Sequence, residues 1–473
     1  MTSQIDMTRV TFPALLLLLF MVFDKPVNAW AQTCDIVPAT ITTMNEPELG
    51  AYNLWDYVGG EYPAKEHFQG ALYKDKNLYV AAQAQGNPDI EQMRLWLLQQ
   101  DYRGRALWEK YHEIEGLSQI KAIVDHSQGF AVLATVLEDQ GDQPPRAAMW
   151  FGVFQQSDGA LLHEATIDYD QGSLFADAIV PLDGGKSYIV AGHTQGRDQK
   201  TYTLMYRIDD QGNVDVHRSY RSGEDNRVNQ IVVSSVEGAL VALGQTKDPA
   251  GRSVGWAIGL DHDLKLMWEQ PYPRGNGAAF VDGASLGDSG IVAVGWAESL
   301  WQGQRAGLVM HFNVRDGALI WERYYRGQDN GRMYQARAVE ISPGNVISVV
   351  LNGAPHPMLE KVDQDDPMRM THYAYTRLLT MNKRGSVLLS EDYRNAQGAS
   401  VNDILTGHSQ NRIMFGSTLS ADPILLDEAK KAGKRVSEDS FVSQNGWSIA
   451  VPAAGVDEDP CDEYLKQQEK GFE

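Results

Sequence analysis

Charged and amide side chains stand at equivalent places in six short apolar segments of this 473-residue chain. We expect these segments to be the innermost strands of repeated sheets, whose inward positions line a central channel. The six residues are Lys121, Asp177, Gln230, Asp282, Arg337 and Asp403. Mixed charge in a channel binds a small ligand or ions, or the charges pair with one another along a water-filled wall. Both interpretations stay open, and Lys121, Asp177 and Arg337 are candidate ligand-binding residues.

A second set of cations follows an aromatic residue at the end of predicted outer strands. The pairs are Tyr220/Arg221, Tyr272/Arg274, Tyr325/Arg326 and Tyr393/Arg394. We expect each tyrosine to pack between neighbouring sheets. Guanidinium groups bind carboxylates and sulfates through paired hydrogen bonds, so the four arginines are candidate partner-binding residues. The alternative is pairing with acidic neighbours, namely Glu224, Asp225, Asp329 and Asp392.

Motifs of the common hydrolases, metalloproteases and nucleotide-binding proteins do not occur in the chain. The 11 histidines show no metal-ligand spacing. The turn Asp209–Asp215 lacks the closing Glu of a calcium loop and takes the place of an ordinary repeat turn. We therefore predict no metal and no cofactor. Only isolated catalytic candidates stand out, such as His193, Asp177 and Arg337.

An internal repeat places these residues. A turn position recurs at nearly equal intervals, with a longer last one, at Gly104, Gly159, Gly212, Leu264, Gly317 and Gly385. In most copies an apolar or aromatic residue, such as Trp108 or Trp321, follows four positions later. A short strand recurs upstream seven times, as in Val292–Gly295. Such units, each a four-stranded antiparallel sheet, predict an all-β, seven-bladed β-propeller.

The last unit ends in Phe441–Val451 and lacks an outermost strand. We predict that an N-terminal strand, Ile36–Thr43, completes this last blade and so closes the ring, which removes two exposed sheet edges. The alternative is a ring that stays open apart from a disulfide.

Blades 6 and 7 carry insertions, Pro355–Thr371 and Asp422–Ser440, between their second and third strands. In the second insertion, Pro423–Gly433 has the pattern of a short amphipathic helix. Both insertions leave the same face of a propeller, which indicates a binding surface there. Drift in tolerant loops produces the same pattern.

Parts of the chain resemble the repeats of bacterial quinoprotein-like propellers, the PQQ-repeat superfamily in its broad sense. The resemblance is carried by Ser187–Gly192 together with Asp209–Asp215, and by Val314–Tyr325. The shared pattern is a turn Asp, a Gly and then Trp on the outer strand, and it covers most of residues 68–451. The superfamily includes quinone-cofactor dehydrogenases and non-catalytic scaffolds of outer-membrane assembly. The dehydrogenases have eight blades, adjacent cysteines and a calcium site. This chain has seven units and no Cys-Cys pair, so the resemblance implies the fold and the non-catalytic branch.

The N-terminal segment predicts export. Val10–Phe23 is a short apolar run, and Ala29-Trp30-Ala31 is a small-x-small cleavage site. We assign 1–31 as a signal peptide and 32–473 as the propeller, with Met1 or Met7 as the start. A retained membrane anchor is the alternative, although the run is short for a span.

Two cysteines, Cys34 and Cys461, flank the repeats. In an oxidising compartment we predict a disulfide between them, because the ends of a propeller meet. Free or intermolecular thiols are the alternative.

The formal net charge of −21 excludes nucleic acid as a partner.

Together these features predict an exported, monomeric, non-catalytic binding or scaffold protein, periplasmic or secreted from a bacterium, without a membrane span after signal removal. Its partner would be a protein or polysaccharide of the cell envelope. The alternative is a propeller enzyme, polysaccharide-cleaving or redox, with its site at the channel mouth.

Overall fold

Antiparallel strands dominate the computed structural model of the chain, which describes residues 38–44, 53–59, 65–85, 93–141, 143–196, 198–221, 223–235, 238–298, 305–327, 332–355, 374–393, 398–421, 431–433 and 442–453. All of these belong to the unit Pro38–Ala454. Within them, no helix has the length and apolar character needed to cross a membrane. The predicted signal peptide, both cysteines, Arg394 and all but the last three residues of the predicted helix lie outside the described residues.

Seven four-stranded antiparallel blades follow one another along the chain, and a single parallel bridge between Lys65 and Gln444 joins the first and last of them. Blade 1 contains β3 (Lys65–Lys74), β4 (Asn77–Gln85), β5 (Met93–Asp101) and β6 (Ala106–His112). Blade 2 contains β7 (Leu117–His126), β8 (Gly129–Gln140), β9 (Gln143–Gln155) and β10 (Leu161–Ile167). Blade 3 contains β11 (Phe175–Leu182), β12 (Ser187–Gln195), β13 (Thr201–Asp209) and β14 (Val214–Tyr220). Blade 4 contains β15 (Arg227–Val233), β16 (Leu240–Lys247), β17 (Ser253–Leu260) and β18 (Leu266–Tyr272).

The remaining blades follow the same plan. Blade 5 contains β19 (Gly277–Ser285), β20 (Ile291–Glu298), β21 (Arg305–Phe312) and β22 (Leu319–Gly327). Blade 6 contains β23 (Arg332–Ser342), β24 (Val346–Pro355), β25 (Tyr375–Met381) and β26 (Val387–Tyr393). Blade 7 contains β27 (Ala399–Thr406), β28 (Arg412–Ala421), β29 (Val442–Val451) and β2 (Trp55–Gly59). Short 3₁₀ turns occur at Gly287–Ser289 and His408–Gln410. The predicted seven-bladed β-propeller is confirmed.

The core lies between blades. Buried apolar residues of the described chain form seven clusters, and each draws its members from two neighbouring blades, including blades 7 and 1. One blade therefore cannot bury its faces alone. Burial of this apolar surface between sheets is the main force that holds the ring together.

A tryptophan on the outermost strand of one blade covers the turn glycine of the next. The pairs are Trp55 on Gly104, Trp108 on Gly159, Trp268 on Gly317 and Trp321 on Gly385. A Cβ on any of these glycines would come within 2.4 to 3.0 Å of the indole that covers it, and all four have positive φ. The indole of Trp268 also donates to the carbonyl of Val314 at 2.7 Å. The repeated Gly and Trp of the sequence are thus contacts between blades.

The predicted role of the tyrosines between blades is also confirmed. The hydroxyl of Tyr220 donates to the carbonyl of Leu264 in the next blade. The hydroxyl of Tyr272 donates to the carbonyl of Gly317, again one blade further on, at 2.5 Å.

An N-terminal strand completes the last blade, but it is not the segment that we predicted. Strand β2 pairs antiparallel with β29, from Trp55 opposite Ala450 to Gly59 opposite Gly446. The indole of Trp55 donates to the carbonyl of Tyr102 in blade 1 at 3.1 Å. Leu54-Trp55-Asp56 repeats the apolar-Trp-acid pattern of outer strands such as Leu107-Trp108-Glu109, and this signal identifies β2 in the sequence.

The predicted closing segment lies elsewhere, so that assignment was wrong. Strand β1 (Ala39–Met44) pairs in parallel with β22, from Ala39 opposite Glu322 to Met44 opposite Gly327, and becomes a fifth strand of blade 5. An open strand edge accepts any segment with free backbone groups. Strand β1 covers that edge on blade 5.

All innermost strands start at one face, which we call the insertion face. Connections between second and third strands leave from it because the strands of a blade alternate in direction. In blades 1 to 5 these connections are short, and the longest of them runs from 86 to 92 in blade 1. In blades 6 and 7 they run from 356 to 374 and from 422 to 441. The predicted location of the two insertions is confirmed.

Candidate functional site in the central channel

Each innermost strand contains an extra residue at the same level, and β7 has a second one, Ser118. In blade 2, Ile120 pairs with Ala134 and Ala122 pairs with Leu133, so Lys121 has no partner on β8. The seven extra residues are Gln69, Lys121, Asp177, Asn229, Val281, Arg337 and Asn402. A bulge of this kind re-aims a side chain. On the innermost strand of a ring, it presents the side chain to the central channel.

In blades 3, 4, 5 and 7 a glycine on the second strand makes room for the bulge, whereas blades 1, 2 and 6 have Ala82, Ala134 and Leu351 at that position. A Cβ on Gly244 would lie 1.9 Å from the carbonyl oxygen of Arg227, and one on Gly295 would lie 1.9 Å from that of Ala279. Gly416 meets the carbonyl of Ser400 in the same way, at 2.1 Å. The glycine that ends the repeated strand pattern is therefore a sequence marker of the bulge, and of the channel position opposite it.

The two bulge cations, Lys121 and Arg337, have no hydrogen-bond or ion-pair partner among the residues that the structure describes. Burial lowers the pKa of Lys121; Asp177 raises it in part, while Arg227 and Arg337 lower it further. Burial also lowers the pKa of Arg337, and Asp282 and Asp403 offset part of that effect. Both cations are half-buried, and no carboxylate of the described residues contacts them directly.

Asp177, His193 and Arg227 form a chain of hydrogen bonds near the insertion face. The Nδ1 atom of His193 lies 2.7 Å from Oδ2 of Asp177, and its Nε2 atom lies 2.6 Å from Nη2 of Arg227. A guanidinium only donates, so Nε2 accepts and Nδ1–H donates to the carboxylate. The ring is therefore neutral, and it links a carboxylate and a cation of adjacent blades.

The opposite part of the wall carries carboxyl groups. Asp282 accepts from Nε2 of Gln230 and from the amide of Val339, both at 2.8 Å. Burial raises the pKa of Asp282. Burial raises the pKa of Asp403 well above its usual range, and the charge of Asp282 adds to this. The pKa of Glu340 is raised for the same reason. These acids keep their protons at higher pH than ordinary carboxyls.

All six predicted channel residues lie on innermost strands. Lys121, Asp177 and Arg337 are at bulge positions, and Gln230, Asp282 and Asp403 each follow one.

Sequence reasoning missed other channel residues: Gln69, Asn229, Asn402, Arg227 and Glu340. Two of them tie blades together. Nδ2 of Asn229 donates to the carbonyl of Phe280 at 2.6 Å, and Nδ2 of Asn402 donates to that of Phe68 at 2.6 Å. Alignment of blades 4 and 7 on the second-strand glycines Gly244 and Gly416 would have located these two asparagines.

The predicted arginine set is dispersed over separate contacts. Arg221 is exposed and stacks on the ring of Tyr202 at 4.3 Å. Nε of Arg274 donates to Glu322 at 2.7 Å, and Nε of Arg326 donates to Oγ1 of Thr43 on β1 at 3.1 Å.

The acids that we named as alternative partners of the arginines have other partners. Asp225 pairs with Lys247 at 2.9 Å, Glu224 with Lys200 at 3.6 Å and Asp392 with Arg377 at 2.6 Å. That assignment of pairs was wrong for Glu224 and Asp225; Arg394, the neighbour of Asp392, and Asp329 lie outside the described residues. Across the described chain, no three His, Cys, Asp or Glu side chains converge as metal ligands.

No family model matches the chain, and no curated protein matches it. Among solved structures it is similar to the C-terminal WD40 domain of Sif2 (9% identity, 82% of this chain and 97% of that one, TM-score 0.40). It is also similar to a protein of unknown function from Dyadobacter fermentans (8% identity, 85% and 99%, TM-score 0.42). A glucose dehydrogenase matches at 10% identity over 85% and 99%, with a TM-score of 0.34. The class of the protein, a seven-bladed β-propeller with a polar channel, rests on its own blades and not on these likenesses.

Proposed function

We propose that this protein is an exported, non-catalytic binding or scaffold protein whose partner docks on the insertion face. The observation that carries this proposal is the unequal length of the connections there. Two adjacent blades have long connections, from 356 to 374 and from 422 to 441, whereas the longest of the other five runs only from 86 to 92. Long connections on a rigid scaffold commonly carry recognition. The partner is a protein or a polysaccharide of the cell envelope.

We also propose that the chain is a divergent member of the quinoprotein-like propeller superfamily and belongs to its non-catalytic branch. Its support is the turn glycine with Trp on the outer strand, which occurs in blades 1 and 5 as Gly104/Trp108 and Gly317/Trp321. The lack of adjacent cysteines supports the non-catalytic branch.

Export to the periplasm or the exterior is likewise proposed, from the short apolar run Val10–Phe23 and the site after Ala31. Mass spectrometry of the protein from its native host should find a mature N-terminus near Gln32. An intact end at Met1 or Met7 would contradict export by this route.

Affinity capture from the native envelope tests the docking face. Deletion of 422–440, or the double reversal Arg326→Glu with Arg394→Glu, should abolish capture and leave the melting temperature nearly unchanged, because surface charges contribute little stability. Capture should also weaken as salt rises. The matched control is Arg103→Glu with Arg315→Glu, two exposed arginines in turns of the opposite face. Equal loss in the control, or full capture by both test variants, would refute the proposal.

A further inference from the structure

We propose that the central channel binds a small hydroxylated monocarboxylate, such as a sugar acid, with Lys121 and Arg337 holding its carboxylate. This site is separate from the docking face, and its existence does not depend on the proposed function.

The geometry places the two cations on opposite walls. Both occupy the bulge of an innermost strand, Lys121 in blade 2 and Arg337 in blade 6. In a ring of seven, these blades are three apart by the shorter way round. The two side chains nevertheless lie within electrostatic range of each other, and Arg227 of blade 4 lies within range of Lys121. Lys121 thus has a cation of blade 4 and a cation of blade 6 within electrostatic range.

Their lack of partners is the unusual feature. The formal net charge of the chain is −21, so acids to pair with are abundant. Exposed cations such as Lys247 and Arg252 have such partners, at 2.9 and 2.7 Å. Lys121 and Arg337 have none among the described residues. Burial of like charges near each other is unfavourable unless an anion is bound between them, and a guanidinium binds a carboxylate through paired hydrogen bonds.

The surrounding acids restrict the ligand to one negative charge. Asp177 is already bonded to His193, and Asp282 to Gln230 and Val339. Asp403 and Glu340 complete the acidic side. The pKa values of Asp403 and Glu340 are raised; with these two acids neutral, three cations face two carboxylates, which leaves one positive charge for a monoanion and disfavours a dianion such as phosphate. Polar side chains on the same wall, including the half-buried Gln69, suit the hydroxyl groups of a sugar acid better than an apolar acid.

Calorimetric titration of the whole mature protein at low salt tests the site with four probes: glucuronate, glucose, acetate and inorganic phosphate. We expect glucuronate to bind tightest, acetate and phosphate more weakly, and glucose not at all. Lys121→Met and Arg337→Met should each weaken glucuronate at least tenfold, the usual effect of losing a charge-assisted hydrogen bond. The control variant Arg315→Met, in an exposed turn of the opposite face, should bind as the parent does. No binding of glucuronate at millimolar concentration, preference for phosphate, or unchanged affinity in both channel variants would overturn the proposal.

Denaturation of the unliganded variants gives a second, independent readout. If the two cations form an anion-binding site, Lys121→Met should leave the denaturation midpoint of the unliganded protein unchanged or raise it, because the mutation relieves repulsion between like charges. If they are instead partners in a paired channel wall, the same change leaves acids uncompensated and lowers the midpoint strongly. A strong fall in both Lys121→Met and Arg337→Met would overturn the proposal even if the titration could not be performed on them.

Discussion

His311 on β21 shows how burial controls a single side chain. Its Nε2–H donates to the carbonyl of Ser289 at 2.9 Å, while its buried Nδ1 atom has no partner among the described residues. The ring packs against Trp321 with centroids 5.4 Å apart. Protonation of Nδ1 would bury a charge without a partner, so burial lowers the pKa of His311 to about 4.

This histidine should make stability depend on pH. The folded state binds fewer protons than the unfolded state between pH 6.5 and 4, so the contribution is complete above pH 6.5 and is lost as the pH falls towards 4. At about 1.4 kcal/mol per pH unit, the loss approaches roughly 3 kcal/mol. His311→Gln keeps an N–H for Ser289 and cannot titrate.

Denaturant unfolding of the parent and of His311→Gln, at several values between pH 4 and 8, measures the effect. The parent should lose free energy of unfolding relative to the variant below pH 6.5, and the difference should stay constant above it. Curves that remain parallel over the whole range would contradict the prediction.

Gly295 is a second residue whose identity follows from its contacts. A Cβ there would lie 1.9 Å from the carbonyl of Ala279, which is backbone at the bulge of blade 5. We expect Gly295→Ala to lower the free energy of unfolding by about 1–3 kcal/mol, the usual cost of overpacking. Gly251→Ala is the control. The positive φ of Gly251 strains the alanine, but no other atom lies within 4 Å of the added Cβ. Chemical denaturation measures both, and an equal loss in the two variants would contradict a special role for the contact.

Among the elements, β1 and β2 have different structural roles, although both precede blade 1 in the sequence. Strand β2 is the outer strand of blade 7, and its Trp55 packs against Gly104 of blade 1. Strand β1 only extends blade 5. Ring closure therefore depends on β2.

Two truncated chains, one starting at residue 45 and the other at residue 60, distinguish the contribution of β1 from that of β2. The first lacks β1 and also Cys34, so it should unfold cooperatively near the midpoint of the full-length Cys34→Ser, Cys461→Ser variant. The second also lacks β2 and should lose roughly 3 kcal/mol or more, because an aromatic anchor and the cover of β29 are gone. Thermal and denaturant unfolding with size-exclusion chromatography measure this. Equal stability of the two truncated chains would contradict the assignment of β2 as the closing strand.

The sequence predicted most elements but not their long-range partners. Strand periodicity and turn glycines depend on residues a few positions apart, so the blades and the sites of both insertions followed from local pattern. Both β1 and β2 have β-forming sequences. Which of them meets β29 depends on how the ring closes, which a local pattern does not specify.

At the scale of the whole molecule, the predicted disulfide between Cys34 and Cys461 would join the two ends of the chain. Both cysteines lie outside the described residues. Closure of so long a loop would stabilise the protein by about 4–5 kcal/mol in the chain-entropy description.

Peptide mapping of the mature protein without reductant should find these two cysteines linked. Cys34→Ser with Cys461→Ser should then lower the melting temperature, and reductant should lower that of the parent but not of the variant. Free thiols in the protein purified from its native compartment would contradict the prediction.

By itself, the sequence determined the blade number, the order of strands within a blade and six polar residues of the innermost strands, because each repeat has its own pattern of turns and apolar positions. Only the tertiary structure decided which charges have partners. Arg274 meets Glu322, 48 residues away, and Asn402 meets Phe68, 334 residues away, whereas Lys121 and Arg337 meet none in the described chain. Such contacts depend on the closed ring, in which residues distant in sequence share one channel and the channel wall leaves two cations unpaired.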